Sequence, residues 1–159
     1  MKIIVFGASG TIGKAIVKEL SPRHEIVKIG KNSGDFRADI RDENSLKACF
    51  EKIGAFDALV SAVGNVHFAP FEEMKAELYQ IGLQDKLMGQ VNLVLVGRHY
   101  INDKGSFTLT SGTLSRDPVR NGSSASMVNG ALESFVRAAA IELDRNLRVT
   151  APSPKGEGF

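Results

Sequence analysis

Short β-branched and aliphatic runs alternate along the chain with longer stretches whose apolar residues return every three or four positions. The runs over residues 2–6, 25–29, 56–62, 106–110 and 148–150 predict β-strands. The intervening spacing predicts helices over 12–20, 43–52, 71–81, 83–101 and 125–143, with Asp42 as an N-cap. Leu93 to Val96 would serve as a strand in isolation, but Leu83, Leu87, Val91, Val94, Leu95 and Arg98 fall near helical spacing, so a helix is expected there. Leu132, Phe135, Val136, Ala139, Ala140 and Leu143 form one apolar stripe on the last helix. Strand–helix alternation of this kind predicts βαβ units and a doubly wound parallel sheet covered by helices on both faces, a three-layer α/β/α arrangement. Ligands of such sheets bind beyond the carboxyl ends of the strands. Without repeats or a linker, one domain is expected over 1–150, with 151–159 as a loop or disordered tail.

Composition narrows the function. The 159 residues are 43% apolar and 24% charged, which suits a globular domain able to bury its own core. Cys49 is the single cysteine, so neither a disulfide framework nor a cysteine-built metal site is expected. A net charge of +2 with scattered cations argues against nucleic acid. Met1-Lys2 runs directly into Ile3-Ile4-Val5-Phe6 and then glycines, too short for a signal-peptide apolar region, and no run approaches the roughly 20 apolar residues of a membrane helix. A cytoplasmic protein without a membrane partner is the expectation.

Gly7-Ala-Ser-Gly10-Thr-Ile-Gly13 follows the first predicted strand and opens a helix. In that context the glycines permit a sharp turn, close backbone approach to a pyrophosphate, and close helix–strand packing. Gly7, Ser9, Gly10, Thr11, Ile12 and Gly13 are therefore candidate cofactor-binding residues, with a ligand-free structural turn as the alternative. The end of the second strand, Lys31-Asn32-Ser33, offers a cation and small donors suited to a 2′-phosphate and points to NADP over NAD. Asp35 keeps the NAD reading open, and a merely solvated Lys31 is the plainer alternative.

These features, with Asp39-Ile40, Ser61-Ala62-Val63-Gly64, Thr110-Ser111 and Arg148-Val-Thr-Ala-Pro-Ser-Pro154, resemble the short-chain dehydrogenase/reductase family and its Rossmann-type sheet. The resemblance implies hydride transfer between a nicotinamide dinucleotide and a small carbonyl or alcohol. It places Asp39 and Ile40 at the adenine, Ala62, Val63 and Gly64 beside the cofactor, and Ser111 as the catalytic serine. It also exposes a departure: the family's Tyr-x-x-x-Lys pair falls on Ala125 and Asn129, and the only tyrosines are Tyr79 and Tyr100. Lys86-Leu-Met-Gly89 resembles the family's Asn-x-x-Gly, so the expectation is exchanged roles, Lys86 supplying charge and Asn129 bonding the nicotinamide ribose. A solvent-facing Lys86 is the alternative. Ser123, Ser124, Ser126, His67 and His99 are weaker candidates for the missing donor. The resemblance further implies homo-oligomers formed through the two long helices, and a final strand and C-terminal substrate lid beyond Phe159, so that a truncated, incompletely represented or reduced member is expected. An NADP-binding sensor or assembly protein without turnover is the competing function; a nucleotide-sugar or other nucleotide binder is a weaker third.

Overall fold

β1 (Lys2–Phe6) sends Ile3 and Val5 into one hydrophobic cluster and Ile4 and Phe6 into another, as a strand covered on both faces requires. It lies at the middle of a six-stranded sheet. The other strands of this computed structural model, which describes residues 1–154, are β2 (Glu25–Gly30), β3 (Phe36–Arg37), β4 (Phe56–Ser61), β5 (Ile101–Thr108) and β6 (Arg148–Thr150). Their order is β3-β2-β1-β4-β5-β6 and every pairing is parallel, the doubly wound arrangement expected.

Helix α1 (Thr11–Leu20) packs Ile16, Val17 and Leu20 on the Ile3–Val5 face. On the other face, α2 (Glu43–Ile53), α4 (Gly89–Gly97) and α5 (Ser123–Glu142) bury Phe50, Leu93 and Leu132 against Phe6, Phe56 and Phe107. The Phe50 ring stacks on Phe56 at 5.5 Å and meets Phe6 edge-on at 6.1 Å. No helix among the described residues is long and apolar enough to cross a membrane.

Four expectations are corrected. β3 was not anticipated, because a two-residue edge strand is shorter than any hydrophobic period. β5 begins at Ile101 rather than 106; exposed Asn102, Asp103 and Lys104, with Lys104 at φ 64° and a register shift opposite Phe56 and Ala58, mask its first half as loop. The helix expected over 71–81 reduces to a 3₁₀ turn, Phe71–Glu73, and then α3 (Ala76–Gly82), since Met74 and Lys75 are extended. The helix expected over 83–101 ends at Gly97, and its first part is a π-helical turn, Leu83–Met88, joining α3 to α4. Elsewhere the predicted ends shift by one or two residues, as helix and strand termini do. Residues 151–154 carry no regular structure, and the rest of the predicted tail lies outside the described residues.

The expected cap at Asp42 is present, its carboxylate accepting from the Asn44 backbone N–H at 2.9 Å. Asp42→Ala should cost about 1 kcal/mol in urea denaturation, with an unchanged m-value. A loss below a few tenths would show that the helix ends are set by packing alone.

Candidate functional site

Gly7 turns the chain out of β1 at φ 78°, and a Cβ there would stand 2.5 Å from the carbonyl oxygen of Ala62. The turn after β1 is thereby pressed against the turn after β4, where the strand order reverses. Two adjoining spaces open at that edge, and Ala62, Val63 and Gly64 wall both.

The first, of about 350 Å³, is bounded by Gly7, Ser9 and Gly10, by Lys31, Asp39, Ile40 and Arg41, and by Asp85. Asp39 binds both cations: Arg41 reaches it at 2.8 and 3.1 Å and the Lys31 ammonium at 3.0 Å. The Arg41 guanidinium, foremost, holds the Asp39 carboxyl far below the usual range and raises its own pKa in return. Asp39 and Asp85 match Lys31 and Arg41 in number, so this end of the cleft holds two cations without a net positive charge. Asp35 lies elsewhere, its carboxylate accepting from the Lys28 backbone N–H at 2.8 Å. Asn32 is outside both spaces, and the Ser33 hydroxyl lies 3.4 Å from that of Ser9. Gly13 lines neither space; it lies against the backbone of Gly7 and Ala8.

The second space, of about 560 Å³, is bounded by Thr11, Ile12, Lys86, Ser111, Ala125 and Asn129, with Val66, Phe68 and Leu114 supplying apolar wall. Lys86 projects from the π-helical turn, where the widened spiral alters which residues face the cleft. Gly64, at φ 131°, makes room for it: a Cβ there would stand 2.7 Å from Lys86 Cγ. Among the described residues the Lys86 ammonium has no ion-pair partner, and desolvation lowers its pKa. Asn129 is 2% exposed, and its Oδ1 has no hydrogen-bond partner among the described residues. Ser111, equally buried, donates to Glu133 at 2.8 Å.

The remaining candidates stand differently. Tyr79 is hydrogen-bonded to Ser123 at 2.9 Å, whereas Tyr100 packs against Phe50 in the core. The hydroxyls of Ser124 and Ser126 are buried without hydrogen-bond partners among the described residues. His99 lines a separate depression with Arg98, Glu142 and Arg145, and His67 lines neither space.

Three residues escaped sequence reasoning. Arg41, two positions after Asp39, carried a legible signal, a second cation beside the presumed adenine site. Gln90 and Glu133 carried none, since a polar residue on an otherwise apolar helix reads as ordinary surface. Gln90 is fully buried and clamps Thr110, accepting from its N–H at 2.8 Å and donating to its C=O at 3.0 Å, so that Ser111 follows a fixed backbone.

The residues present fit a nicotinamide dinucleotide. A glycine turn leads into a helix N-terminus without a side-chain cap, cations stand at one end, and an unsatisfied buried amide oxygen stands at the other.

Residues 7–156 match the family model described as enoyl-(acyl carrier protein) reductase. Short-chain dehydrogenase/reductase ATR9 from Stachybotrys chlorohalonatus is 27% identical over 153 residues, covering 91% of this chain; the chain spans 59% of that relative's length. Among solved structures, protein lin1944 from Listeria innocua is 44% identical with a TM-score of 0.95, over 98% of this chain and 78% of that one. A small-chain dehydrogenase solved in complex with NADPH is 32% identical with a TM-score of 0.88, over 97% of this chain and 69% of that one.

Proposed function

The chain belongs to the short-chain dehydrogenase/reductase family, and from that premise we propose that it is a cytoplasmic NADP(H)-dependent oxidoreductase of a small carbonyl or alcohol, working without the family's tyrosine–lysine pair. When bound, the dinucleotide supplies hydride donation or acceptance at its nicotinamide. The backbone N–H groups of the α1 first turn and the helix dipole favour its pyrophosphate. Lys31 and Arg41 favour a 2′-phosphate over a bare ribose hydroxyl. Asn129 offers Oδ1 to a ribose hydroxyl, and Asp39 and Ile40 wall the adenine end. Lys86 holds or releases a proton at the substrate oxygen, a task suited to an amine whose pKa burial has lowered. Ser111 binds that same oxygen, and Val66, Phe68 and Leu114 exclude water around it.

The observation that carries this reading is the meeting in one cleft of an uncompensated Lys86, a buried unpartnered Asn129 Oδ1 and Ser111. Fluorescence titration should give NADPH at least tenfold tighter than NADH, with Arg41→Ala and Lys31→Ala each eroding the difference. Equal affinities in the wild type would remove the NADP assignment. In a carbonyl screen followed by NADPH absorbance, Lys86→Ala should lower kcat by about 100-fold while leaving NADPH affinity within about threefold. Turnover indifferent to both Lys86→Ala and Ser111→Ala would refute the site.

Ala125 at the family's tyrosine position favours a second reading, an NADP-binding sensor without turnover. Tight NADPH binding with no turnover across the screen would select it. Leu95 on α4 and Met127 and Ile141 on α5 are exposed apolar residues suited to self-association, which sedimentation equilibrium tests.

A further inference from the structure

Glu133 lies on α5 outside the residues that wall the cleft, yet three hydroxyls converge on its Oε1: Ser111 at 2.8 Å, Ser115 at 2.9 Å and Ser153 at 3.2 Å. They come from the chain leaving β5, from the 3₁₀ turn Thr113–Ser115, and from the chain leaving β6. Burial pushes the Glu133 carboxyl upward, but the three hydroxyl bonds and Arg116, the charged group facing it, outweigh that and bring it below its ordinary value. Glu133 is therefore an ionised acceptor at neutral pH, and an ionised carboxylate has no proton to donate back.

A serine hydroxyl has one proton and two lone pairs. Besides Glu133, among the described residues the Ser111 hydroxyl meets only the Asn129 backbone carbonyl, at 3.5 Å, the outer limit of a hydrogen bond. Its proton is committed to the shorter, charge-assisted bond. What Ser111 has left for the cleft is lone pairs.

We propose that Glu133 is a positioning residue that fixes the hydrogen-bond sense of Ser111, so that Ser111 meets the substrate as an acceptor and the site selects the alcohol form, whose hydroxyl donates, over the carbonyl form. This deepens the oxidoreductase reading and rests on it. In the same arrangement Lys86 is a charged donor in the cleft that can face a carbonyl oxygen, which divides the two hydrogen-bonding duties between two side chains. A carboxylate that merely tied three segments together would treat the two substrate forms alike.

Non-reacting complexes test the inference without turnover: cyclohexanol with the NADPH-loaded protein, and cyclohexanone with the NADP⁺-loaded protein. Glu133→Leu, which frees the Ser111 proton, should weaken cyclohexanol roughly tenfold and leave cyclohexanone unchanged or tighter. Glu133→Gln, whose amide oxygen accepts the same hydroxyl, should keep both within about threefold of wild type. Cyclohexanol affinity untouched by Glu133→Leu, parallel weakening of both probes, or no cyclohexanol binding by the wild-type complex would each overturn the proposal. Should Glu133→Leu fail to fold, the Ser111–Glu133 bond is read in the protein without dinucleotide by carbon-detected NMR of the Glu133 carboxyl. Ser111→Ala should raise its titration midpoint, and an unmoved midpoint overturns the inference. That arm does not need NADPH. Failure of the wild type to bind NADPH therefore refutes the oxidoreductase reading by its own measurement, and the substrate selection with it.

Discussion

Gly13→Ala will destabilise the chain by about 3 kcal/mol or more and abolish NADPH binding, whereas Gly10→Ala will remain within about 1 kcal/mol of wild type and lose NADPH affinity selectively. Both are single methyl additions in one turn. At Gly13 the added Cβ would lie 2.0 Å from the Gly7 carbonyl oxygen, 2.7 Å from the Gly7 carbonyl carbon and 2.8 Å from Ala8 Cα. All three neighbours are backbone, and backbone cannot rotate aside as a flexible side chain does. Relief requires moving the N-terminal turn of α1 away from the end of β1, which opens the packing of Ile16 and Val17 on Ile3 and Val5. At Gly10 the nearest atom to an added Cβ is Gly7 O at 3.4 Å, an ordinary contact, so the fold tolerates it. The methyl then stands where a pyrophosphate must approach the main chain. Urea denaturation and NADPH fluorescence on the two variants separate the outcomes. A Gly13→Ala variant that melts with the wild type would overturn the packing argument, and a Gly10→Ala variant that binds NADPH normally would show that the turn is not a dinucleotide cradle.

Gln90→Leu is expected to lower stability by roughly 3 kcal/mol or more and to depress any turnover that depends on Ser111. Leucine fits the volume but leaves the Thr110 N–H and C=O, and a third partner, the Lys86 carbonyl, without their hydrogen bonds. Each buried orphan costs about 1–3 kcal/mol. Thr110 precedes Ser111, and the Lys86 carbonyl belongs to the π-helical turn, so one side chain ties the segments that carry Ser111 and Lys86 to the same backbone frame. Calorimetric melting together with kcat for the best substrate of the carbonyl screen checks this. A Gln90→Leu variant as stable as the wild type would mean that water replaces the amide, and the clamp would not be the source of order at Ser111.

Much of the fold was legible because strand burial writes itself into composition. Ile3-Ile4-Val5-Phe6 is apolar on both faces, and the glycine turn directly follows it. Where burial and composition part company, legibility fails. Buried Ile101 pairs with Phe56 at the start of β5, but the exposed Asn102, Asp103 and Lys104 fall in a register shift before pairing resumes at Ser106, and β3 is held by two residues of backbone pairing rather than by any pattern. The division of the long apolar stretch before β5 into α3, a π-helical turn and α4 is equally silent, since hydropathy does not distinguish one extra residue in a helical turn.

The site shows the same division at the level of single residues. Local order along the chain sufficed for the glycine turn, the strand ends it borders and the absence of a tyrosine after Ser111, because these depend on neighbours in sequence and on which atoms each side chain carries. Contacts across some twenty positions needed the folded molecule: Gln90 with Thr110, Glu133 with Ser111 and Ser153, and Lys86 passing over Gly64. A hydrogen bond depends on distance and direction within a few tenths of an ångström, and those are properties of how elements pack, which no periodicity along the chain records.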